Sequence, residues 1–291
     1  MWEEETRELQ TRIERLLGAK LESWRRVEGG YTPALRLLCR TARGSFFAKI
    51  GTTPLTSRML RREIRNYESI SGDFIPPLVG WEDDAGAPIL LIEDLSAAHW
   101  PPPWDEQKIE LALSQINVMH STPAELEPFA QAHPEFGSSW QTVAADCAPF
   151  LSLGLVDERW LEIALPLLIA AENACSTDGA SLTHWDLRSD NICLIGSRVI
   201  FVDWNLACMS NPQLDLGFWL PSLAAEGGPE PERILPHAPE VAALVAGYFA
   251  ARAGLPQIVD APRVRWVQRQ QLETALPWAI RALELPPLKQ R

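Results

Sequence analysis

Three consecutive prolines, Pro101-Pro102-Pro103, divide the chain into two stretches that read differently. Proline fixes φ and has no N–H to give, so neither a helix nor a strand runs through such a segment. Before it, apolar residues fall in short strand-length runs. Ala34–Arg40 and Ser45–Ile50 flank Arg43-Gly44 and read as a hairpin. Leu78–Trp81 and Pro88–Ile92 read as a second hairpin, turned at Asp84-Ala85-Gly86. Two helices are expected among them. Leu9, Ile13, Leu16 and Leu17 lie at helical spacing. Thr53-Pro54 supplies an N-cap and a first-turn proline, and Leu55, Met59, Leu60, Ile64 and Tyr67 then share one face. Beyond the prolines the period is helical, over 105–120, 138–148, 157–173, 212–223, 239–253 and 260–284. One interruption, 182–203, contains a third hairpin, Ile192–Ile195 and Val199–Val202 around Gly196-Ser197. The pattern is α+β, with a β-rich part over 1–95 and a helical part over 96–291.

The chain has 291 residues, 46% of them apolar, which supports a sizeable core and excludes a disordered chain. Residues 1–95 hold 14 basic and 15 acidic side chains, and residues 96–291 hold 12 and 23. That balance argues against a nucleic-acid partner, and it would suit a cationic ligand on the second part. Five cysteines are scattered without a C-x-x-C pair, as expected of free thiols in a reducing compartment. Residues 1–17 carry no apolar signal core, and the longest apolar runs, 163–171 and 241–251, are too short to span a bilayer. The expectation is a cytoplasmic protein with no membrane partner, a monomer or homodimer.

The densest polar cluster is His184-Trp185-Asp186-Leu187-Arg188-Ser189-Asp190-Asn191, inside the interruption. Val202-Asp203-Trp204-Asn205 follows the third hairpin. A hairpin between them would bring Asp186, Asn191 and Asp203 together. A carboxylate and a carboxamide about one point make a hard-oxygen site that suits Mg²⁺. A further carboxylate beside them can orient and deprotonate a hydroxyl. Such groups suit phosphoryl transfer, in which positioning and charge neutralisation supply most of the catalysis.

HWDLRSDN followed by VDW resembles the H-G-D-x-x-x-x-N and hydrophobic-Asp pattern of the aminoglycoside phosphotransferase family, relatives of the protein kinases. The resemblance runs over about residues 20–225 and implies a bilobal protein-kinase-like fold. It implies that Lys49, in Phe46-Phe47-Ala48-Lys49, is the strand lysine that pairs with the α- and β-phosphates. Glu63, fourteen residues on, would be its ion-pair partner. Glu28–Thr32 would cover the phosphates through the backbone of Gly29 and Gly30 and the Thr32 hydroxyl. Glu93 and Leu95 would meet adenine. Asn191 and Asp203 would ligate Mg²⁺, Asp186 would be the catalytic base, and Arg188 would neutralise charge at the γ-phosphate. Asp215 would brace the catalytic loop, and His184 is expected to fix it.

The nucleotide implied is ATP, with GTP open. The acceptor implied is a hydroxyl of a small molecule, an aminoglycoside or other sugar-containing antibiotic first. Choline, homoserine or methylthioribose kinase activity is the alternative; a protein kinase or a silent nucleotide-binding protein follows. The segment Trp204-Asn205 after the metal acid, in place of Phe-Gly, speaks against a protein kinase. Trp185 departs from the family glycine. Its indole, and those of Trp100, Trp104 and Trp219, are candidates to stack on an acceptor, with core packing the preferred reading for each.

Overall fold

The computed structural model describes residues 2–30, 32–83, 87–259 and 261–288. The turn at Asp84-Ala85-Gly86 and the Tyr31 position of the Glu28–Thr32 loop lie outside them. The strands are β1 (Leu21–Arg26), β2 (Leu35–Thr41), β3 (Gly44–Ile50), β4 (Leu78–Glu82), β5 (Ile89–Glu93), β6 (Ser181–Thr183), β7 (Ile192–Ile195), β8 (Arg198–Phe201) and β9 (Cys208–Ser210). The helices are α1 (Trp2–Leu17), α2 (Pro54–Ser69), α3 (Glu106–His120), α4 (Phe129–Ala132), α5 (Ser139–Ala145), α6 (Ala148–Leu151), α7 (Glu158–Ala174), α8 (Gln213–Ala225), α9 (Pro231–Ile234), α10 (Pro239–Ala253) and α11 (Val264–Ala282). α11 starts only after Pro262, later than the apolar period suggests. Among the described residues no helix is long and apolar enough to cross a membrane.

Contacts divide the chain into two compact units, Met1–Trp100 with Ile192–Leu206, and Pro101–Asn191 with Ala207–Arg291. This differs from a single division at residue 95. The third hairpin joins the first unit because Cys193 and Ile200 share a buried cluster with Leu95. The Phe201 N–H also donates to the Phe74 carbonyl at 2.7 Å.

In the first unit an antiparallel sheet has the order β1-β2-β3-β5-β4. Side chains alternate across a strand, so each strand has a core face and an opposite face. Leu37, Cys39, Ala48, Ile50, Ile89 and Leu91 pack with Ile13 and Leu17 of α1. Lys49 and Phe47 therefore lie on the other face, where α2 runs. Thr53 caps α2 by accepting from the Thr56 N–H, with Pro54 in the first turn, as its sequence dictates. α1 is tied down by Arg15, whose Nη2 is 2.6 Å from Glu82 Oε2, and by Arg12, which also binds Glu82.

In the second unit α10 is buried along most of its length and packs against α5, α6, α7, α8 and α11. The short pair β6 and β9 anchors the polar interruption, with the Thr183 hydroxyl donating to the Cys208 carbonyl at 2.9 Å.

Candidate active site

In the first unit the structure brings together Lys49, Glu63 and Asp203. Lys49 Nζ is 2.7 Å from Glu63 Oε2 and 2.8 Å from Asp203 Oδ1. Glu63 is only 2% exposed. Burial works against the charge on Lys49, but Asp203 and Glu63 outweigh it and hold the pKa above the ordinary lysine value. Burial raises the Glu63 pKa, with Lys49 opposing. α2 fixes this geometry twice over. Asn66, one turn after Glu63 and so on the same face, donates to the Trp204 carbonyl at 2.7 Å. The Trp204 indole is fully buried against Phe74, with ring centroids 5.8 Å apart. Asp203 itself has a φ of 69°, a left-handed conformation uncommon for a residue with a side chain. Asn205 donates to Asp203 from two residues on.

The phosphate-loop candidates sit around an arginine that sequence reasoning missed. Arg36 on β2 is the register partner of Lys49 on β3. Its Nη1 donates to the carbonyls of Thr32 at 3.2 Å and Ala34 at 3.0 Å. Gly30, with φ 69°, lies against this guanidinium: a Cβ there would come within 2.3 Å of Arg36 Nη2. Gly29, with φ 140°, has open space about its α-carbon. Glycine is needed at both for its left-handed backbone, and at Gly30 for closeness too. At the end of β5 the Glu93 N–H donates to Pro77 at 3.2 Å, and the Glu93 carboxylate pairs with Arg198 at 2.9 Å. The Leu95 carbonyl accepts from the Ala98 N–H at 3.0 Å and the Trp100 indole at 3.3 Å.

In the second unit the structure brings together Asp186, Arg188 and Asn191. Asn191 Nδ2 donates to the Asp186 carbonyl at 2.8 Å and to Asp186 Oδ2 at 3.1 Å. Arg188 lies 3.2 Å from Asp186 Oδ1 and 3.2 Å from Asp190 Oδ2. Asp215, in the first turn of α8 and 0% exposed, organises the loop. Its carboxylate accepts from the N–H groups of His184 at 2.9 Å and Trp185 at 2.7 Å, and lies 3.0 Å from His120 Nε2. His184 Nδ1 accepts from the Asp186 N–H at 3.3 Å, so this histidine fixes the loop. Trp185 has a φ of 65°, which explains why a glycine is at home there. Its indole packs on Phe129 at 4.3 Å. Trp219 is fully buried, and Trp104 donates to Ser189 Oγ at 3.0 Å and Glu226 Oε2 at 2.9 Å.

Among the described residues no three His, Cys, Asp or Glu side chains gather to cage an ion. The donors present fit a different arrangement. Mg²⁺ uses one or two protein oxygens and takes the rest from phosphates and water. Asp203 offers a carboxylate, and the Asn205 Oδ1 beside it is buried without a hydrogen-bond partner. Asn191 uses its nitrogen on Asp186, which leaves its oxygen to ligate.

An antiparallel-sheet unit with a buried lysine–glutamate pair, and a helical unit with a braced His-x-Asp-x-x-x-x-Asn loop, define a kinase-like small-molecule phosphotransferase. The chain belongs to the phosphotransferase enzyme family (APH), whose model matches residues 23–257. A comparison with curated proteins gives no match. Among solved structures, spectinomycin phosphotransferase APH(9)-Ia, in complex with ADP and spectinomycin, is 11% identical with a TM-score of 0.61, covering 96% of this chain and 98% of that one. Choline kinase LicA from Streptococcus pneumoniae is 14% identical with a TM-score of 0.59, covering 97% and 98%. A thermostable mutant of APH(4)-Ia, in ternary complex with ADP and hygromycin B, is 12% identical with a TM-score of 0.56, covering 94% and 97%. These likenesses fix the fold.

Proposed function

We propose that the protein transfers the γ-phosphoryl group of ATP to a hydroxyl of a small molecule, such as a sugar-containing antibiotic, in a Mg²⁺-dependent reaction. The observation that carries this reading is Lys49 held between Glu63 and Asp203 at 2.7 and 2.8 Å. A buried lysine between two carboxylates can keep one partner and release the other to a cation when an anion arrives. Lys49, oriented by Glu63, binds the α- and β-phosphates. Gly29, Gly30 and Thr32 turn backbone N–H groups and a hydroxyl toward the same phosphates. Backbone groups at Glu93 and Leu95 receive the base. Asp203 and Asn191 would hold Mg²⁺, which neutralises phosphate charge when bound.

Asp186 accepts a hydrogen bond from the acceptor hydroxyl. An acceptor O–P bond forms as the bond from the γ-phosphorus to the β,γ-bridging oxygen breaks. The hydroxyl proton passes to Asp186 and ADP leaves with the bridging oxygen. Arg188, against the Asp186 carboxylate, moderates charge at the transferring group. The five free cysteines suit a cytoplasmic setting.

Relatives in the fold that act on choline keep a metabolite kinase as the second reading. A turnover screen with ATP and Mg²⁺ across aminoglycoside, nucleoside and macrolide antibiotics and hydroxylated metabolites tests the proposal, with Asp186→Asn as the blank. Phosphorylated product is expected from the wild type, reduced by about 10²–10⁴-fold in the variant with nucleotide binding kept. A variant that turns over at the wild-type rate refutes the role of Asp186.

A further inference from the structure

Asp215 and Glu226 stand at the two ends of α8, about three turns apart, and so on one face of the helix. Trp219 lies on that face too, one turn after Asp215. Asp215 receives the main-chain N–H groups that open the His184–Asn191 loop, those of His184 and Trp185. Glu226 receives a side chain from the other end of the loop: the Ser189 hydroxyl donates to its Oε2. The Trp104 indole N–H donates to the same oxygen at 2.9 Å and to Ser189 Oγ at 3.0 Å. Trp104 in turn meets the fully buried Trp219 edge-on, with ring centroids 5.5 Å apart.

Ending the helix does not call for a glutamate at this position. The chain leaves α8 at Gly227, with φ 89°. The N–H groups of Gly227 and Gly228 donate to the carbonyls of Ala224 at 3.1 Å and Leu223 at 2.9 Å. This pair of bonds completes a helix C-terminus without the side chain of the cap residue. A carboxylate there faces the negative pole of the helix dipole, which disfavours it. Among the described residues the charge of Glu226 is met by two neutral donors and not by a cation. Hydrogen bonds to a charged acceptor are the stronger kind, so the carboxylate holds Ser189 and Trp104 more firmly than a neutral acceptor would.

Ser189, only 3% exposed, begins the single turn Ser189–Asn191. The Asn191 N–H closes that turn on the Arg188 carbonyl at 2.8 Å, and the Asn191 side chain reaches back to Asp186. In so short a turn the place of Ser189 sets the place of Asn191. We propose that Glu226 is a positioning residue that acts through Ser189 on Asn191, so that one face of α8 holds the loop at both ends, Asp215 at its start and Glu226 at its close. The part played by Asn191 as a Mg²⁺ ligand rests on the phosphotransferase reading; the brace itself does not.

Two measurements on the full chain test this. Amide hydrogen exchange needs neither nucleotide nor turnover and reads the brace directly. In Glu226→Ala the amides of Asp190 and Asn191 are expected to exchange about tenfold faster, while those of His184 and Trp185, held by Asp215, keep their rates. Calorimetry with ADP, with and without Mg²⁺, reads the consequence. Affinity for ADP with Mg²⁺ should fall about 10–100-fold, as when an outer partner of a metal ligand is lost, and affinity without Mg²⁺ should hold. Glu226→Gln, which keeps an acceptor for Ser189, should recover part of both effects. Unchanged exchange at Asp190 and Asn191, or equal acceleration at His184 and Trp185, overturns the brace. Should Glu226→Ala not fold, Ser189→Ala, which removes the link and leaves Glu226 on Trp104, should show the same two changes, and unchanged exchange in it overturns the brace. Faster exchange with Mg²⁺-dependent affinity kept, where Asn191→Ala loses that affinity, overturns the action on Asn191. If Asn191→Ala itself keeps Mg²⁺-dependent affinity, the metal role of Asn191 fails and the exchange rates alone decide the brace.

Discussion

Asn66 donates its side-chain amide to the main-chain carbonyl of Trp204, and so ties the helix that carries Glu63 to the residue after Asp203. The bond is buried and spans the two segments that present the Lys49 partners. Asn66→Leu keeps the size but leaves the Trp204 carbonyl without that donor. The expected cost is about 1–3 kcal/mol, read by urea unfolding. Nucleotide affinity should fall with it, because Asp203 loses its anchor. Unchanged stability and unchanged nucleotide titration would refute the coupling.

The Lys49–Glu63 pair predicts an asymmetry. Lys49→Met leaves Glu63 buried without its cation, which costs about 3–5 kcal/mol. Lys49→Met with Glu63→Leu should recover most of that loss, since a buried pair replaced by apolar residues is near neutral. The sign with pH follows from the raised pKa of Glu63. A carboxyl that ionises less readily folded than unfolded loses stability as pH rises above the ordinary carboxylate range. Lys49→Met should therefore be less stable at neutral pH than near pH 4.5, the ordinary glutamate value. Denaturation midpoints at the two pH values check this; a double variant no better than the single one would contradict it.

Much of this arrangement could be read from the chain, for physical reasons that differ by element. β3 and α2 were legible because each has one buried face, so the periods of two and of 3.6 residues stand out. β1, LESWRR, was not: it is an edge strand exposed along nearly its whole length and shows no alternation. β6 and β9 are three residues each, too short to carry a period. Lys49 and Glu63 came from their order relative to the HWDLRSDN cluster. Arg36 did not, since an arginine in an apolar run looks like a surface residue until the register sets it opposite Lys49.

Asp215 braces the loop that carries His184 and Asp186, and if Asp186 is the proposed base its loss should be felt in rate and in stability. Asp215→Ala strips the main-chain N–H groups of His184 and Trp185 of their acceptor. Each buried N–H left unmet costs about 1–3 kcal/mol. Turnover should fall more steeply than nucleotide affinity, because the loop carries Asp186. A variant with wild-type stability and turnover would show that the loop holds its shape without this carboxylate.

Trp185→Gly sets two effects against each other. Glycine relieves the left-handed backbone at φ 65°, a gain of about 1–2 kcal/mol. It also deletes an indole that contacts Phe129, His133, Phe136 and Phe218 and is only 8% exposed. Emptying such a site costs about 3–5 kcal/mol, so packing wins and the variant is less stable. Thermal unfolding decides; a higher midpoint for the glycine variant would mean that strain outweighs packing here.

The clasp between α1 and β4 predicts an acid limb to stability. Burial would raise the Glu82 pKa, but the bonds from Arg15 and Arg12 outweigh it and hold the carboxyl below its ordinary value of 4.5. A depressed carboxyl pKa contributes stability that is fully present above the unfolded-state value and is lost as pH falls through the folded one. Unfolding midpoints should therefore drop below pH 4.5, and Glu82→Gln should flatten part of that drop while lowering stability at neutral pH. Protease cleavage after Arg7, near the start of α1, gives a local readout, since a released clasp exposes this segment first. If Glu82→Gln leaves both the acid slope and the cleavage rate unchanged, the Glu82 clasp does not hold α1, and apolar packing through residues such as Ile13 and Leu17 does.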